Sequence, residues 1–346
     1  MGAISTYGFG LFLNFGQRAT LFDYQLLSMP FSSIRSLLLG GLLVGLAWTA
    51  PAQSRRRTSL TNQPQNAPVP VVAAPQARLL ESMVLNSSLL NQPVKYSIYL
   101  PPDYYVSNRR YPVVYLLHGY TDNETGWVQF GEADRIVDEK IKSGELPPMI
   151  IVMPDGGVTW YMDDYQGKIR YETMFVQELI PHIDSTYRTR TQRDYRALSG
   201  LSMGGHGSLL LAMHHPDLFG SCAALSAAVF TEEGIATMAD DQYNNVFAAL
   251  FSGPVKGQER LTTHFKRNSP LTLARSAPEG DLKRVRWYLD CGDDDFLSAA
   301  NAQLHIALLE RKILHEYRVR DGAHTWPYWR TGLPDALNFI ATSFHR

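Results

Sequence analysis

Gly200-Leu201-Ser202-Met203-Gly204-Gly205 is the segment of this sequence that constrains the structure most strongly. It lies between an apolar run near Ala197, predicted to be a strand, and a helical pattern that extends from Met203 to His214. A Gly-x-Ser-x-Gly in this setting is the nucleophile elbow, a strand-to-helix turn so tight that glycines must flank the serine. The motif predicts that the Ser202 hydroxyl is exposed beside the positive end of a helix dipole.

Strand-like and helical segments alternate on both sides of this turn. Val113–Leu117 and Met149–Met153 are short apolar runs, typical of strands buried on both faces. The alternation predicts an α/β fold with right-handed crossovers and a mostly parallel central sheet covered by helices on both faces. The other predicted strands are Leu79–Leu85, Val94–Leu100, Cys222–Ala227, Arg286–Asp290 and Glu316–Val319, and the other predicted helices are Ala133–Ile141, Tyr171–Tyr187, Leu304–Leu314 and Leu333–Phe344.

The stretch Thr231–Pro278 breaks this alternation. Open α/β sheets bind ligands outside the carboxyl ends of their strands. We therefore expect this stretch to be a small insertion over the active site.

Two later segments supply an acid and a base. Asp295 follows the predicted strand Arg286–Asp290, and His324 lies in a loop after the last predicted strand. The chain order Ser202, Asp295, His324 is the serine–acid–histidine order of α/β hydrolases. In that arrangement the histidine takes the proton of the serine hydroxyl, and the carboxylate orients the imidazole.

An oxyanion hole needs two inward-facing backbone N–H groups. Met203, the residue after the serine, is expected to provide one of them. The other is expected from the loop that follows Val113–Leu117, where the Tyr120 amide is the first candidate and Thr121 the alternative.

Composition excludes several other classes of protein. The chain has 346 residues and a formal net charge of −1, whereas a nucleic-acid-binding protein is expected to be basic. Only two cysteines are present, Cys222 and Cys291, too few for a disulfide scaffold or a multi-thiolate zinc site. We expect both to be buried free thiols. No phosphate loop, dinucleotide fingerprint or metal-ligand spacing occurs, so neither a cofactor nor a metal is expected.

The N-terminal region has the features of a targeting segment. Residues 29–52 combine Arg35, the apolar run Leu37–Trp48 and the small residues Ala50-Pro51-Ala52, which is typical of a secretory signal peptide. The apolar run is short for a membrane span, although an uncleaved anchor is the alternative. Residues 1–28 are interpreted as an upstream extension, with translation starting at Met29, and residues 53–77 as a flexible linker. The expected location is secreted or periplasmic, with no stable membrane insertion after cleavage.

The sequence resembles the putative esterase (esterase D-like) family of α/β hydrolases over roughly residues 79–346, and the tributyrin and feruloyl esterase branch fits best. The matching segments are Tyr115–Gly119, Trp160-Tyr161, Glu178–Pro181, Gly200–Gly205, Ser269–Leu271, Cys291–Asp295 and Gly322–Trp326. The resemblance implies an α/β-hydrolase esterase domain over residues 78–346 that needs no cofactor. The family's acid is the last residue of a Gly-x-x-Asp unit, which corresponds to Asp295, with the adjacent Asp294 as the alternative.

These observations predict a secreted serine esterase that acts through an acyl-enzyme on short-chain acyl or hydroxycinnamoyl esters, which could be carbohydrate-linked. Trp160, Tyr161, Trp326 and Trp329 are candidates to line its pocket, although each could equally be a core aromatic. Acyl transfer to a sugar hydroxyl is an alternative with the same chemistry. A non-catalytic carbohydrate-binding protein on the same fold is an alternative of another class.

Overall fold

The computed structural model describes residues 76–344, which form an α/β fold around an eight-stranded sheet. The strand order is β1-β2-β4-β3-β5-β6-β7-β8. Neighbours from β4 through β8 pair in parallel, whereas β1 and β2 are antiparallel additions at one edge. The predicted mostly parallel sheet is confirmed. The predicted signal peptide, the upstream extension and the linker up to residue 75 lie outside the described residues.

Each strand occupies an apolar or alternating segment of the sequence. The strands are β1 Arg78–Ser87, β2 Gln92–Leu100, β3 Val113–Leu117, β4 Ile150–Pro154, β5 Arg196–Leu201, β6 Ser221–Leu225, β7 Arg286–Gly292 and β8 His315–Arg320. The α-helices are α1 Gly126–Gln129, α2 Ala133–Lys142, α3 Tyr171–Met174, α4 Ile180–Thr186, α5 Met203–His214, α6 Glu232–Thr237, α7 Asp240–Val246, α8 Ala248–Phe251, α9 Thr263–Arg267, α10 Pro270–Ser276, α11 Glu279–Leu282, α12 Ser298–Glu310 and α13 Trp326–Phe344. Short 3-10 helices occupy Arg193–Tyr195 and Gly257–Arg260.

Helices cover both faces of the sheet. Successive residues of a strand point to opposite faces, so Tyr115 and Val114 of β3 belong to different core clusters. Helices α5 and α12 pack on the Tyr115 face, and α2 and α13 pack on the Val114 face. The carboxyl ends of β3, β5, β7 and β8, between these two layers, therefore meet at one edge of the sheet.

Three of the predicted helices differ from the helices observed. The segment predicted as a helix over Tyr171–Tyr187 contains a π-helical turn, Phe175–Leu179, between α3 and α4. Pro181 follows this turn, and proline lacks the N–H that would bond the residue four positions earlier, so a wider turn fits. Helix α12 begins six residues before the predicted Leu304 and ends at Glu310, because Lys312 adopts a left-handed φ of 55°.

Helix α13 begins at Trp326 instead of the predicted Leu333. Pro327 lies in its first turn, where a missing N–H breaks no intrahelical hydrogen bond. Pro334 lies inside the helix. None of the helices within residues 76–344 has both the length and the hydrophobicity required to span a bilayer.

The insertion Thr231–Pro278 lies between β6 and β7 and contains helices α6 to α10. It packs beside the loop that follows β4. The ring of Phe247, in the insertion, packs at a tilt against Trp160 of the loop, and the Tyr165 amide of the loop donates a hydrogen bond to the Leu250 carbonyl at 2.9 Å. Among the described residues, none of those lining the cleft beside Ser202 comes from this insertion. The aromatic residues of the insertion pack against that loop, and its predicted position over the active site stays a prediction.

A buried carboxylate joins three elements of the Tyr115 face. Glu172 of α3 accepts hydrogen bonds from His214 and His215, each at 2.8 Å, and the other ring nitrogen of His214 donates to the Arg267 carbonyl at 2.9 Å. Both nitrogens of His214 thus face acceptors, which favours its charged form. Burial alone would lower the pKa of His214, but the hydrogen bond to Glu172 raises it. Burial would raise the pKa of Glu172, but both histidines lower it to about 2.

Glu172→Gln is expected to destabilise the protein more at pH 5.5 than at pH 8.5. The charge of His214 contributes fully below its ordinary pKa of 6.5 and is lost as the pH rises through its raised value. The charge of Glu172 contributes fully above its ordinary pKa of 4.5 and is lost as the pH falls toward 2. At pH 5.5 the substitution should cost about 2 kcal/mol of unfolding free energy, and clearly less at pH 8.5. Urea denaturation at both pH values measures this, with the exposed Glu81→Gln as control, and an equal cost at both would contradict it.

Candidate active site

Ser202 lies on a strained turn between β5 and α5. Its backbone adopts φ 53° and ψ −117°, a region that L residues rarely occupy. The turn is held by its own hydrogen bonds, since the Ser202 amide donates to the Leu225 carbonyl at 3.0 Å and its carbonyl accepts from the His206 and Ala228 amides. Surrounding structure of this kind is what maintains an unfavourable backbone conformation at a functional site.

The two glycines of the motif are required by close backbone approaches. A Cβ atom on Gly200 would lie 2.5 Å from the Gly204 carbonyl oxygen, and one on Gly204 would lie 2.2 Å from the Leu117 carbonyl oxygen. Backbone atoms cannot move away as a flexible side chain can. The elbow therefore brings α5 against the end of β3 only when these positions lack side chains.

Gly204→Ala is accordingly expected to cost at least about 3 kcal/mol of unfolding free energy and to abolish ester hydrolysis, because α5 must shift away from β3. Gly280→Ala is the matched control, since a Cβ there meets open space in α11, and it should be neutral or slightly stabilising. Thermal and urea denaturation of the two variants measure the difference. A Gly204→Ala protein with wild-type stability would contradict the steric argument.

The structure brings Ser202, His324 and Asp295 together in one hydrogen-bonded chain. His324 Nε2 lies 2.9 Å from Ser202 Oγ, and His324 Nδ1 lies 2.8 Å from Asp295 Oδ2. The Asp295 carboxylate is buried, and its other oxygen accepts the Leu297 amide at 2.9 Å. Burial alone would raise the pKa of Asp295, but the hydrogen bonds from His324 and from the Leu297 amide lower it below the ordinary 3.8.

This chain of contacts fixes the tautomer of His324. An ionised Asp295 can only accept, so Nδ1 carries the proton and Nε2 is free to accept the proton of the Ser202 hydroxyl. Asp294, the alternative acid, is exposed and bonds through its backbone amide to the Gly322 carbonyl. The geometry supports Asp295 over Asp294 as the partner of His324.

A buried ion pair holds the strands that carry the acid and the histidine. Arg320 at the end of β8 makes a bidentate interaction with Asp290 of β7, with both N–O distances 2.9 Å. Tyr328 and Tyr288 donate their hydroxyl groups to the same carboxylate at 2.5 and 3.1 Å. The loops that carry Asp295 and His324 follow β7 and β8. The ion pair between these two strands therefore fixes the separation of the two loops.

The Tyr120 amide, the first candidate for the second oxyanion donor, lies in a turn beside the cleft. Residues 119–122 form a turn in which the Asp122 amide donates to the Gly119 carbonyl at 3.3 Å, and Thr121 has a left-handed φ of 64°. The second residue of such a turn keeps its N–H outside the turn hydrogen bond. Met203 opens α5, so its N–H also precedes the first intrahelical bond. Tyr120 lines the same cleft as Ser202, and Met203 is the residue that follows Ser202.

His118 orients this turn, a role that the sequence did not indicate. Its buried ring accepts the Gly156 amide at Nε2, 2.8 Å away, so Nδ1 carries a proton and donates to the Gly119 carbonyl at 2.8 Å. In a trans peptide the C=O and the following N–H point in opposite directions. Holding the Gly119 carbonyl toward His118 therefore directs the Tyr120 N–H away from His118. The only available signal was a histidine directly after a buried strand.

The cleft beside Ser202 has a volume of about 500 Å³ and is largely aromatic. Of the residues predicted to bind substrate, Trp326 lines it, together with Trp329. Tyr120, Phe130 and Phe296 also line it, and the sequence analysis did not identify the last two.

Trp160 and Tyr161 do not line the cleft, which corrects the expectation that they contact substrate. Tyr161 is fully buried and donates its hydroxyl to the His118 carbonyl at 3.1 Å. The Trp160 ring is buried against His206, Phe230 and Phe247. Both residues have positive φ values, and this backbone reversal directs their side chains inward.

Two other sets of chemically reactive side chains are buried thiols and exposed carboxylates. Cys222 and Cys291 are buried free thiols, as expected, and burial raises the pKa of Cys291 to about 12. Within residues 76–344, carboxylate or imidazole groups cluster closely enough for a metal ion only at Asp293, Asp294 and Asp321, which are exposed.

Comparisons with known proteins agree with this geometry. The family described as "Esterase: Putative esterase" matches residues 87–340. A solved "ferulic acid esterase" is 31% identical, with a TM-score of 0.66, and the match covers 78% of this chain and all of that one. An "Acetyl esterase" of Caldicellulosiruptor saccharolyticus is 26% identical over 238 residues, which are 68% of this chain and 85% of that protein.

An "Endo-1,4-beta-xylanase/feruloyl esterase" of Xylanibacter ruminicola is 36% identical over 146 residues, 40% of this chain. The chain covers only 20% of the length of that larger protein. The family match, in contrast, includes all of the elements that form the cleft, from β3 to α13. Its extent shows that the chain has the α/β-hydrolase fold and belongs to the putative esterase family.

Proposed function

We propose that this protein is a carboxylic ester hydrolase that uses Ser202 as its nucleophile and forms an acyl-enzyme. The observation that carries the proposal is the continuous hydrogen-bond chain from Asp295 through His324 to the Ser202 hydroxyl, which opens into a cleft. A hydroxyl activated in this way attacks a carbonyl carbon.

The geometry supports a two-step reaction. His324 Nε2 accepts the proton as Ser202 Oγ attacks, and the negative oxygen of the tetrahedral intermediate is stabilised by the Tyr120 and Met203 amides. His324 then donates its proton to the alcohol oxygen, and the ester C–O bond breaks. In the second step His324 takes a proton from water, and the water oxygen attacks the acyl carbon. The bond between the acyl carbon and Ser202 Oγ then breaks, His324 returns the proton to Ser202 Oγ, and the free acid leaves.

Short-chain acyl or hydroxycinnamoyl esters, carbohydrate-linked in the natural substrate, are the proposed substrates. The aromatic cleft supports an apolar acyl group, since its rings offer large contact area at fixed positions. The relatives include proteins named as a feruloyl esterase and an acetyl esterase, which supports the same two acyl classes.

A panel of acetyl, butyryl and feruloyl esters tests this proposal with the purified protein. The expected result is release of free acid from at least one of them, together with mass-spectrometric detection of an acyl group or a phosphonate label on Ser202. No turnover of any ester and no label on Ser202 would overturn the proposal. Addition of sugar acceptors separates hydrolysis from acyl transfer, which would give a new ester.

We further propose that the protein is secreted or periplasmic and is not stably inserted in a membrane. The sequence of residues 29–52 is the support for this. N-terminal sequencing of the exported protein should begin at or near Gln53. A mature protein that retains Met1 would contradict both the cleavage site and the proposed start at Met29.

A further inference from the structure

One aromatic side chain of the cleft is far more exposed than the others. Phe296 has 77% of its surface exposed to solvent, although it directly follows the buried Asp295. Such exposure of a phenyl ring is unfavourable in water. Phe296 lines the cleft beside Ser202, so the exposed ring faces the site and is not a random surface residue.

The position of Phe296 is set by the same turn that holds the acid. The Leu297 amide bonds to Asp295 Oδ1 at 2.9 Å, and the Ser298 amide bonds to the Asp295 carbonyl at 2.8 Å at the start of α12. Both neighbours of Phe296 are therefore fixed. Its ring lies 4.7 Å from the His324 ring, measured between centroids.

The mechanism determines which part of the substrate reaches this ring. His324 Nε2 must come within hydrogen-bonding distance of the alcohol oxygen to protonate it. The alcohol group therefore extends from a point next to His324. Trp329 packs edge-on against His324 at 4.8 Å but is buried, so Phe296 is the ring that remains open on this side.

We infer that Phe296 forms a wall of the leaving-group subsite and stacks against a sugar ring that carries the ester. The C–H faces of a sugar pack against a phenyl ring, while sugar hydroxyls need polar partners. Asp122 also lines the cleft, and a carboxylate accepts hydrogen bonds from hydroxyl groups. A small alcohol such as methanol would leave the Phe296 face uncovered. This inference rests on the proposed esterase function and adds the residue that contacts the alcohol.

The test compares two esters of one acid, methyl ferulate and the 5-O-feruloyl ester of methyl arabinofuranoside. The acetyl esters of the same two alcohols form a second substrate pair, which applies to an enzyme that hydrolyses short-chain acyl esters. The wild type is expected to prefer the sugar ester in kcat/KM. In Phe296→Ala the ratio of kcat/KM values, sugar ester over methyl ester, should fall about tenfold, the size expected for one lost aromatic contact, mostly through KM.

Matched variants separate this role from a general loss of activity. Phe296→Tyr keeps the ring and should keep the ratio, whereas Leu314→Ala removes an even more exposed apolar side chain at the amino end of β8 and should change neither activity nor ratio. A ratio unchanged in a folded Phe296→Ala, or no wild-type preference for the sugar ester, would overturn the inference and leave the esterase proposal intact. No hydrolysis of any ester by the wild type would instead overturn the esterase proposal.

Discussion

Ser202→Ala should reduce kcat for every ester that the protein hydrolyses by about 10⁴- to 10⁶-fold, the range found when the nucleophile of such a triad is removed. The Ser202 hydroxyl lies 2.9 Å from His324 Nε2 and also opens into the cleft, so it combines a base with access to substrate. The substitution removes the nucleophile but leaves the amides of Tyr120 and Met203 in place. Steady-state kinetics should show kcat falling with little change in KM.

The fold should survive this substitution. The backbone at position 202 would keep its hydrogen bonds to Leu225 and Ala228, and the strain at φ 53° would remain. We therefore expect a melting temperature within about 2 °C of the wild type, because the hydrogen bond that is lost, to His324, lies at the cleft and not in the core. Ser208→Ala is the matched control: it removes a buried hydroxyl from the helix that follows the elbow, and activity should persist. Hydrolysis by Ser202→Ala at near wild-type rate would show that another group is the nucleophile.

The parts of the site that the sequence predicted are those enforced by short-range sterics and strand order. Gly200 and Gly204 indicated the elbow because a Cβ at either position would collide with backbone. Asp295 and His324 were identified because each follows a strand, and parallel strands place such loops at one edge of the sheet. These signals are local, and they do not depend on how distant side chains pack.

The parts that the sequence did not predict depend on long-range packing. Trp160 and Tyr161 have left-handed backbones with φ of 56° and 60°, although neither is glycine, so no residue type signalled the reversal that buries them. His118 acts through Gly156, 38 positions away, a contact that exists only after β3 and β4 pair. The exposure of Phe296 is likewise a property of the folded surface and not of its sequence neighbours.

Asp295→Asn is expected to lower kcat by about 10⁴-fold while Asp294→Asn stays within about twofold of the wild type. The side-chain amide introduced by Asp295→Asn can donate its N–H to His324 Nδ1, which would place the imidazole proton on Nε2. In that tautomer Nε2 cannot accept the proton of Ser202. The neighbouring Asp294 carboxylate is exposed, and the His324 Nδ1 proton is already bonded to Asp295, so loss of the Asp294 charge should leave the tautomer unchanged.

The pair of variants decides between the two aspartates more sharply than removal of either alone. Both substitutions are isosteric and remove one negative charge from the same loop, so long-range electrostatic effects on His324 are nearly matched. What differs is the 2.8 Å hydrogen bond to Nδ1, which Asp295 makes. A large loss in Asp294→Asn with an active Asp295→Asn would mean that the loop rearranges when substrate binds and that the acid is Asp294. Equal, moderate losses in both would mean that the loop supplies negative potential without orienting the imidazole.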